Sequence, residues 1–65
     1  MRILLWHKRM EKKLTLIQLS KLTDISKTTL NDIENERCSP TMFQMEKIAK
    51  ALHIRITDLY DSDYK

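Results

Sequence analysis

Lys27, Thr28, Asn31 and Asp32 fall at spacings of i, i+1, i+4 and i+5, which gathers them on one side of a helix. Leu30 and Ile33 take the opposite side. Each of the four polar residues carries chemistry that a nucleobase edge can use. Lys27 can donate to guanine O6 and N7, and Asn31 can pair with adenine. Thr28 offers thymine either a hydroxyl or a methyl group. Asp32 can only accept, which favours cytosine N4 or repels a phosphate that arrives in the wrong register. A merely solvated helix face is the plain alternative for the same four residues.

Other chemistries find little support. Ser, His and Asp all occur, but no nucleophile and base, no carboxylate pair and no cofactor loop stand at a useful spacing, so no enzyme is expected. His7 and His53 read as surface or half-buried side chains. A pocket of ~300 Å³ or more is hard to build on 65 residues, whereas a surface that binds something large is not. The single Cys38 forms no internal disulfide, and no CxxC pair or His/Cys cluster has metal-ligand spacing, so neither metal nor cofactor is expected. A bridge-free small domain suits a reducing cytoplasm. The run "ILLW" is shorter than the ~7–15 residues of a signal core, and nothing approaches the ~20 apolar residues of a membrane span.

The net charge of +3 is unevenly spread. Arg2 to Lys27 holds seven basic residues against two acidic ones, while the rest of the chain is net −2, with Asp58, Asp61 and Asp63 crowded near its end. A basic front and an acidic tail over 61–65 suit a polyanion on one side of a single domain spanning 1–65.

Helices must position these residues. "RILLWHKRMEK" is rich in helix formers and ends on basic residues that suit a helix C-terminus. "TLIQLSKLT" opens with the Thr15–Gln18 spacing of a capping box, and Leu19 and Leu22 continue an apolar face. A third helix starts after Ser26 as N-cap, and Pro40 blocks helix continuation through Ser39. A second capping box, Thr41 to Gln44, opens "TMFQMEKIAKAL", where Met45, Ile48, Ala49 and Leu52 form the stripe. "HIRITDLY" reads as a loop and one short helix, giving five helices and almost no strand signal. Trp6 reads as core filler.

The break "TDIS" must turn the chain sharply without glycine, since the chain has none. Asp24 is the residue suited to the left-handed conformation there. Ser20 allows close approach of the two helices and Ile25 plugs the gap between them. Two helices crossed over such a turn make a helix-turn-helix, whose second helix enters the DNA major groove.

"LTLIQLSKLTDISKTTLNDIENERCSPTMFQMEKIAKALHIRITDLY" resembles the lambda-repressor-like, or XRE-type, helix-turn-helix family over roughly residues 5–60. The features that carry the resemblance are Leu14-Thr15, Leu19-Ser20, Ile25-Ser26, Leu30, Ile33-Glu34, Pro40, "KIAKAL", Ile54 and Leu59. It implies an all-α, compact five-helix bundle with a central helix-turn-helix. Where the family uses glycine, this chain has Asp24, Glu36 and His53, and Leu16 stands where many members carry a phosphate-touching Gln. Lys8 falls where an apolar residue is expected.

The resemblance further implies that Arg9 pairs with Glu34 to fix the recognition helix to its scaffold. Phosphate contacts would come from the flanks, at Thr29, Asn35, Arg37, Ser39 and Thr41, with Lys21 or Lys13 farther out. The partner implied is double-stranded DNA, bound by a transcriptional regulator in the prokaryotic or phage cytoplasm and associated with the nucleoid. Ile56, Tyr60 and Tyr64 would supply a homodimer interface that sets two recognition helices about 34 Å apart on a palindromic operator. There is no room for a small-molecule effector domain and no membrane partner is expected. The competing reading is a protein-binding helical module, such as an antitoxin-like or anti-repressor protein.

Overall fold

A computed structural model describes residues 1–64. The chain runs β1 (Arg2–Ile3), α1 (Leu5–Glu11), α2 (Leu16–Thr23), α3 (Lys27–Glu34), α4 (Met42–Leu52), a 3-10 turn (Ile56–Asp58) and β2 (Tyr60–Asp61). Both expected capping boxes form. Thr15 Oγ1 accepts from the Gln18 N–H while Gln18 Oε1 accepts from the Thr15 N–H, and Thr41 and Gln44 do the same. Helices α1, α2, α3 and α4 close on a core of Leu5, Leu19, Ile25, Leu30, Ile33, Met45, Ile48, Ala49, Leu52 and Leu59.

Among the described residues there are four α-helices rather than five. Around Ile56 the chain makes only i→i+3 bonds, Asp58 N–H to Arg55 O and Leu59 N–H to Ile56 O, before it straightens. It straightens because Tyr60 pairs with Ile3 and Asp61 with Arg2 in an antiparallel ladder, and Leu59 O accepts from the Leu4 N–H at 2.7 Å. Arg2 and Ile3, read from sequence as helix, are therefore strand, and α1 begins only at Leu5. Tyr64 is described, while Lys65 of the acidic tail lies outside the described residues.

Two apolar assignments need correction. Helix α1 turns Leu5 and Arg9 inward, one turn apart, so Trp6 is swung off the buried side; it is 50% exposed and meets His7 edge-on. In α2 the buried pair is Leu19 and Thr23, again one turn apart, and Leu22 is left exposed. Thr23 tolerates burial because its hydroxyl donates to Leu19 O at 2.8 Å and accepts from the Ile25 N–H at 3.3 Å. Lys8, half-buried at the flank of α1, reaches Glu11 at 3.7 Å.

The turns without glycine are solved by four non-glycine residues in the left-handed region: Lys13, Asp24, Glu36 and His53. Three of them close the same motif. After α1, Leu14 N–H reaches back to Arg9 O and Lys13 N–H to Met10 O. After α3 the pair is Arg37 to Asp32 and Glu36 to Ile33, and after α4 it is Ile54 to Ala49 and His53 to Lys50. Each is the double-bonded Schellman end that usually recruits glycine. Asp24 makes the simpler version, one bond to Ser20 O, at a residue type that tolerates this geometry.

These positions differ in what the side chain returns. His53 is exposed and its side chain makes no hydrogen bond among the described residues, whereas Glu36 Oε1 accepts from the Ile3 N–H at 3.0 Å. His53→Gly should therefore stabilise the fold by about 1 kcal/mol, or roughly 4–8 °C in melting temperature. Glu36→Gly should gain less, because the relieved strain is offset by the lost bond to β1. Thermal melts of the two variants check the order; a larger gain at Glu36 would mean that its bond to Ile3 contributes nothing.

Candidate nucleic-acid interface

Helix α3 is set by its N-cap. Ser26 Oγ accepts from the Thr29 N–H at 3.1 Å and its hydroxyl donates to Thr29 Oγ1 at 2.8 Å. The helix buries Leu30 and Ile33 against the core, which fixes its rotation. Lys27 and Thr28 consequently lie exposed, and Asn31 and Asp32 lie beside them partly buried. The four residues singled out for base edges thus share the face opposite Leu30 and Ile33.

Glu34, at the end of α3, turns inward and meets Arg9 of α1. Arg9 Nε donates to Glu34 Oε2 at 2.6 Å and Nη2 to Oε1 at 3.2 Å, a two-pronged pair. The third arm, Nη1, donates to Leu14 O at 2.8 Å. One guanidinium therefore ties the C-terminal end of α3, helix α1 and the α1–α2 connection together. The two side chains are only 11% and 5% exposed.

The flanking residues are distributed less simply. Thr29 is half-buried and its oxygen is shared with the α3 cap; Ser39 is exposed in the connection to α4. Thr41 caps α4. Asn35 and Arg37 are exposed, but both side chains are engaged with Asn31 and Asp32. Asn35 Nδ2 donates to Asn31 O at 2.9 Å and to Asn31 Oδ1 at 3.1 Å, and Arg37 Nε donates to Asp32 Oδ1 at 2.9 Å. The sequence reading treated these as two separate groups. The i, i+4 spacing of Asn31 and Asn35 carried a signal for the first link, since residues four apart are helix neighbours. The second needs the left-handed Glu36 to fold Arg37 back, which no spacing announces.

Farther out, Lys13 and Lys21 are exposed, and Lys21 edges an open furrow with Leu14, Gln18 and Leu22. A second open groove of about 470 Å³ lies between the ends of α2 and α4, lined by Leu22, Lys47, Lys50, Ala51 and His53 among others. Of the three residues assigned to a dimer contact, Ile56 and Tyr60 are half-buried and pack on the core, while Tyr64 stands out in solvent. Among the described residues no helix is long and apolar enough to cross a membrane.

Two short helices joined by a left-handed turn, with a polar face on the second and an ion pair holding its end, define a helix-turn-helix. The chain matches the Helix-turn-helix family over residues 7–59, and it belongs to that family, in its XRE-type branch. It is 39% identical over 49 residues to the immunity repressor protein of Bacillus phage phi105, an alignment that takes in 75% of this chain and 34% of the phage protein. The chain thus spans about a third of that relative's length. Its fold is similar to the N-terminal DNA binding domain of SinR from Bacillus subtilis, with a TM-score of 0.81, 24% identity, and coverage of 94% of this chain and 90% of that one.

Proposed function

We propose that this chain is a sequence-specific double-stranded DNA-binding transcriptional regulator that lays α3 in the major groove. The observation that carries the proposal is the face formed by Lys27, Thr28, Asn31 and Asp32, opposite Leu30 and Ile33 on a helix anchored by Arg9 and Glu34. Family membership supports it, as does the likeness to a phage protein named as a repressor. Lys27, Thr28, Asn31 and Asp32 read base edges. Thr29, Asn35, Arg37, Ser39 and Thr41 face phosphate, and such contacts set register and supply most of the affinity.

The working unit is a homodimer on a palindromic operator, with Ile56, Tyr60 and Tyr64 at the two-fold contact. This geometry calls for half-sites about one DNA turn, ~34 Å, apart. Selection of bound sites from random duplexes tests the whole reading. Recovery of a palindrome is the expected result, and recovery of no common sequence would overturn it. A protein-binding module would also be indifferent to salt, whereas phosphate contacts weaken steeply as salt rises.

Lys27→Ala should cost about 1–3 kcal/mol on the selected operator and relax preference at one base pair. Titrations against a set of single-base operator variants measure this. An equal loss on every duplex would move Lys27 from the base-reading group to the phosphate group.

A further inference from the structure

Asp32 and Arg37 hold each other at the place where both would be needed. Arg37 is bound twice to residue 32: its backbone N–H reaches Asp32 O at 2.8 Å and its Nε reaches Asp32 Oδ1 at 2.9 Å. The first bond belongs to the Schellman end of α3 and keeps residue 37 folded over the last turn of the helix. The second bond places a carboxylate against the guanidinium and offsets part of its charge. The side chains are 58% and 37% exposed, for Arg37 and Asp32 respectively. A pair this wet contributes little to folding and is given up readily when a better partner appears. Asn35, another exposed flank residue at this end, hydrogen-bonds back to Asn31, and Arg37 is the basic side chain at this helix end that can reach for a phosphate.

We propose that Asp32 is a specificity-determining residue that acts by withholding Arg37 from the DNA backbone until the correct base pair is met. This deepens the DNA-binding reading and rests on it. On non-cognate duplex the exocyclic amino groups of the groove fall out of reach of Asp32, so its carboxylate keeps the guanidinium and Arg37 makes no phosphate contact. At the matching base pair an exocyclic amino group, of which cytosine N4 is the best fitted, donates to the carboxylate. Arg37 is then exchanged onto a phosphate oxygen, an acceptor that its charge favours. One correct base is thereby read twice, once at the carboxylate and once through the released cation. One incorrect base loses both contacts, which widens the gap between operator and random DNA more than either contact could alone.

The arrangement makes opposite predictions for its two members. Arg37→Ala should weaken binding to random duplex far less than binding to the selected operator, since Asp32 holds Arg37 back on random DNA. On the selected operator it should weaken binding and flatten the salt dependence by about one phosphate's share, a log–log slope change of ~0.9. Between 50 and 200 mM salt that slope is worth about three- to fourfold in affinity. Asp32→Asn, which keeps shape but cannot hold the cation, should do the reverse on random duplex, where binding tightens and the slope steepens by the same amount. The ratio of operator to random affinity should fall.

The double variant Asp32→Asn, Arg37→Ala separates release of Arg37 from the simple removal of a negative charge. If Asp32→Asn tightens random binding equally with and without Arg37, the withholding role is overturned. Equal weakening of operator and random duplex by Arg37→Ala also overturns it, because Arg37 would then be a free phosphate contact. If the unaltered chain binds no duplex in a salt-dependent way, the DNA-binding reading itself fails and takes this inference with it. Thermal melts unchanged from the parent keep folding out of the comparison, since a pair this wet contributes little to stability.

Discussion

Arg9→Ala should lower the stability of this chain by about 3–5 kcal/mol, the usual loss when one member of a buried ion pair is removed. A chain of 65 residues carries only about 3–10 kcal/mol of net stability, so the variant would lose roughly a third or more of that margin. The cost is large because of what stays behind. Glu34 would keep a carboxylate at 5% exposure with both of its guanidinium donors gone, and Leu14 O would lose the Nη1 bond. Glu34→Ala should cost a comparable amount, since it strands the guanidinium with Leu14 O as the remaining partner. The two losses should not add: the double alanine variant should be more stable than the sum predicts by at least 1 kcal/mol, because both changes remove one contact. Replacing both residues with methionine should bring stability most of the way back, since well-packed apolar groups can substitute for a buried pair. Urea melts followed by circular dichroism measure all four variants. Additive single losses would show that the pair is energetically idle despite its 2.6 Å geometry.

The same ion pair shows what kind of information a single sequence holds. Capping boxes were legible because they are local: Thr15 and Gln18 find each other within one turn, whatever the rest of the chain does. The left-handed turns at Asp24, Glu36 and His53 were legible by their position in the resembled family, and Lys13 was missed because no helix boundary was drawn tightly enough to need it. The β1–β2 ladder was not legible. Two residues are too few to show an alternating pattern, and the pairing joins opposite ends of the chain. The helix count erred for the same reason, since the ladder ends what would have been a fifth helix. In the interface, the outward face of α3 could be read from Leu30 and Ile33 alone. The link from Asn35 to Asn31 had a signal in their i, i+4 spacing, whereas the link from Arg37 to Asp32 depends on side-chain directions at the helix end, which no pattern of residue types encodes.

Leu30→Ala and Leu22→Ala should differ sharply, although both leucines belong to the helix-turn-helix and both lie one residue from a threonine or lysine. Leu30 is 0% exposed and packs where α3 meets the core, so its truncation should cost about 2–5 kcal/mol in lost transfer energy and residual cavity. Leu22 is 60% exposed, so its truncation should stay within about 0.5 kcal/mol. Function should follow the same division. Leu30→Ala removes no group from the outward face, so any molecule that remains folded should bind the operator with the same contacts and the same salt slope. Its apparent affinity should nevertheless fall in proportion to the folded fraction, because only that fraction is competent. Lowering the temperature toward the stability maximum, or adding a stabilising osmolyte, should then restore part of the lost binding. Neither treatment should rescue a base-reading variant such as Lys27→Ala, whose defect lies in a missing contact. Equal destabilisation at Leu22 and Leu30 would mean that α2 is rotated to bury Leu22 in place of Thr23. The seating of α3 against α2, and the outward face assigned to Lys27, Thr28, Asn31 and Asp32, would turn with it.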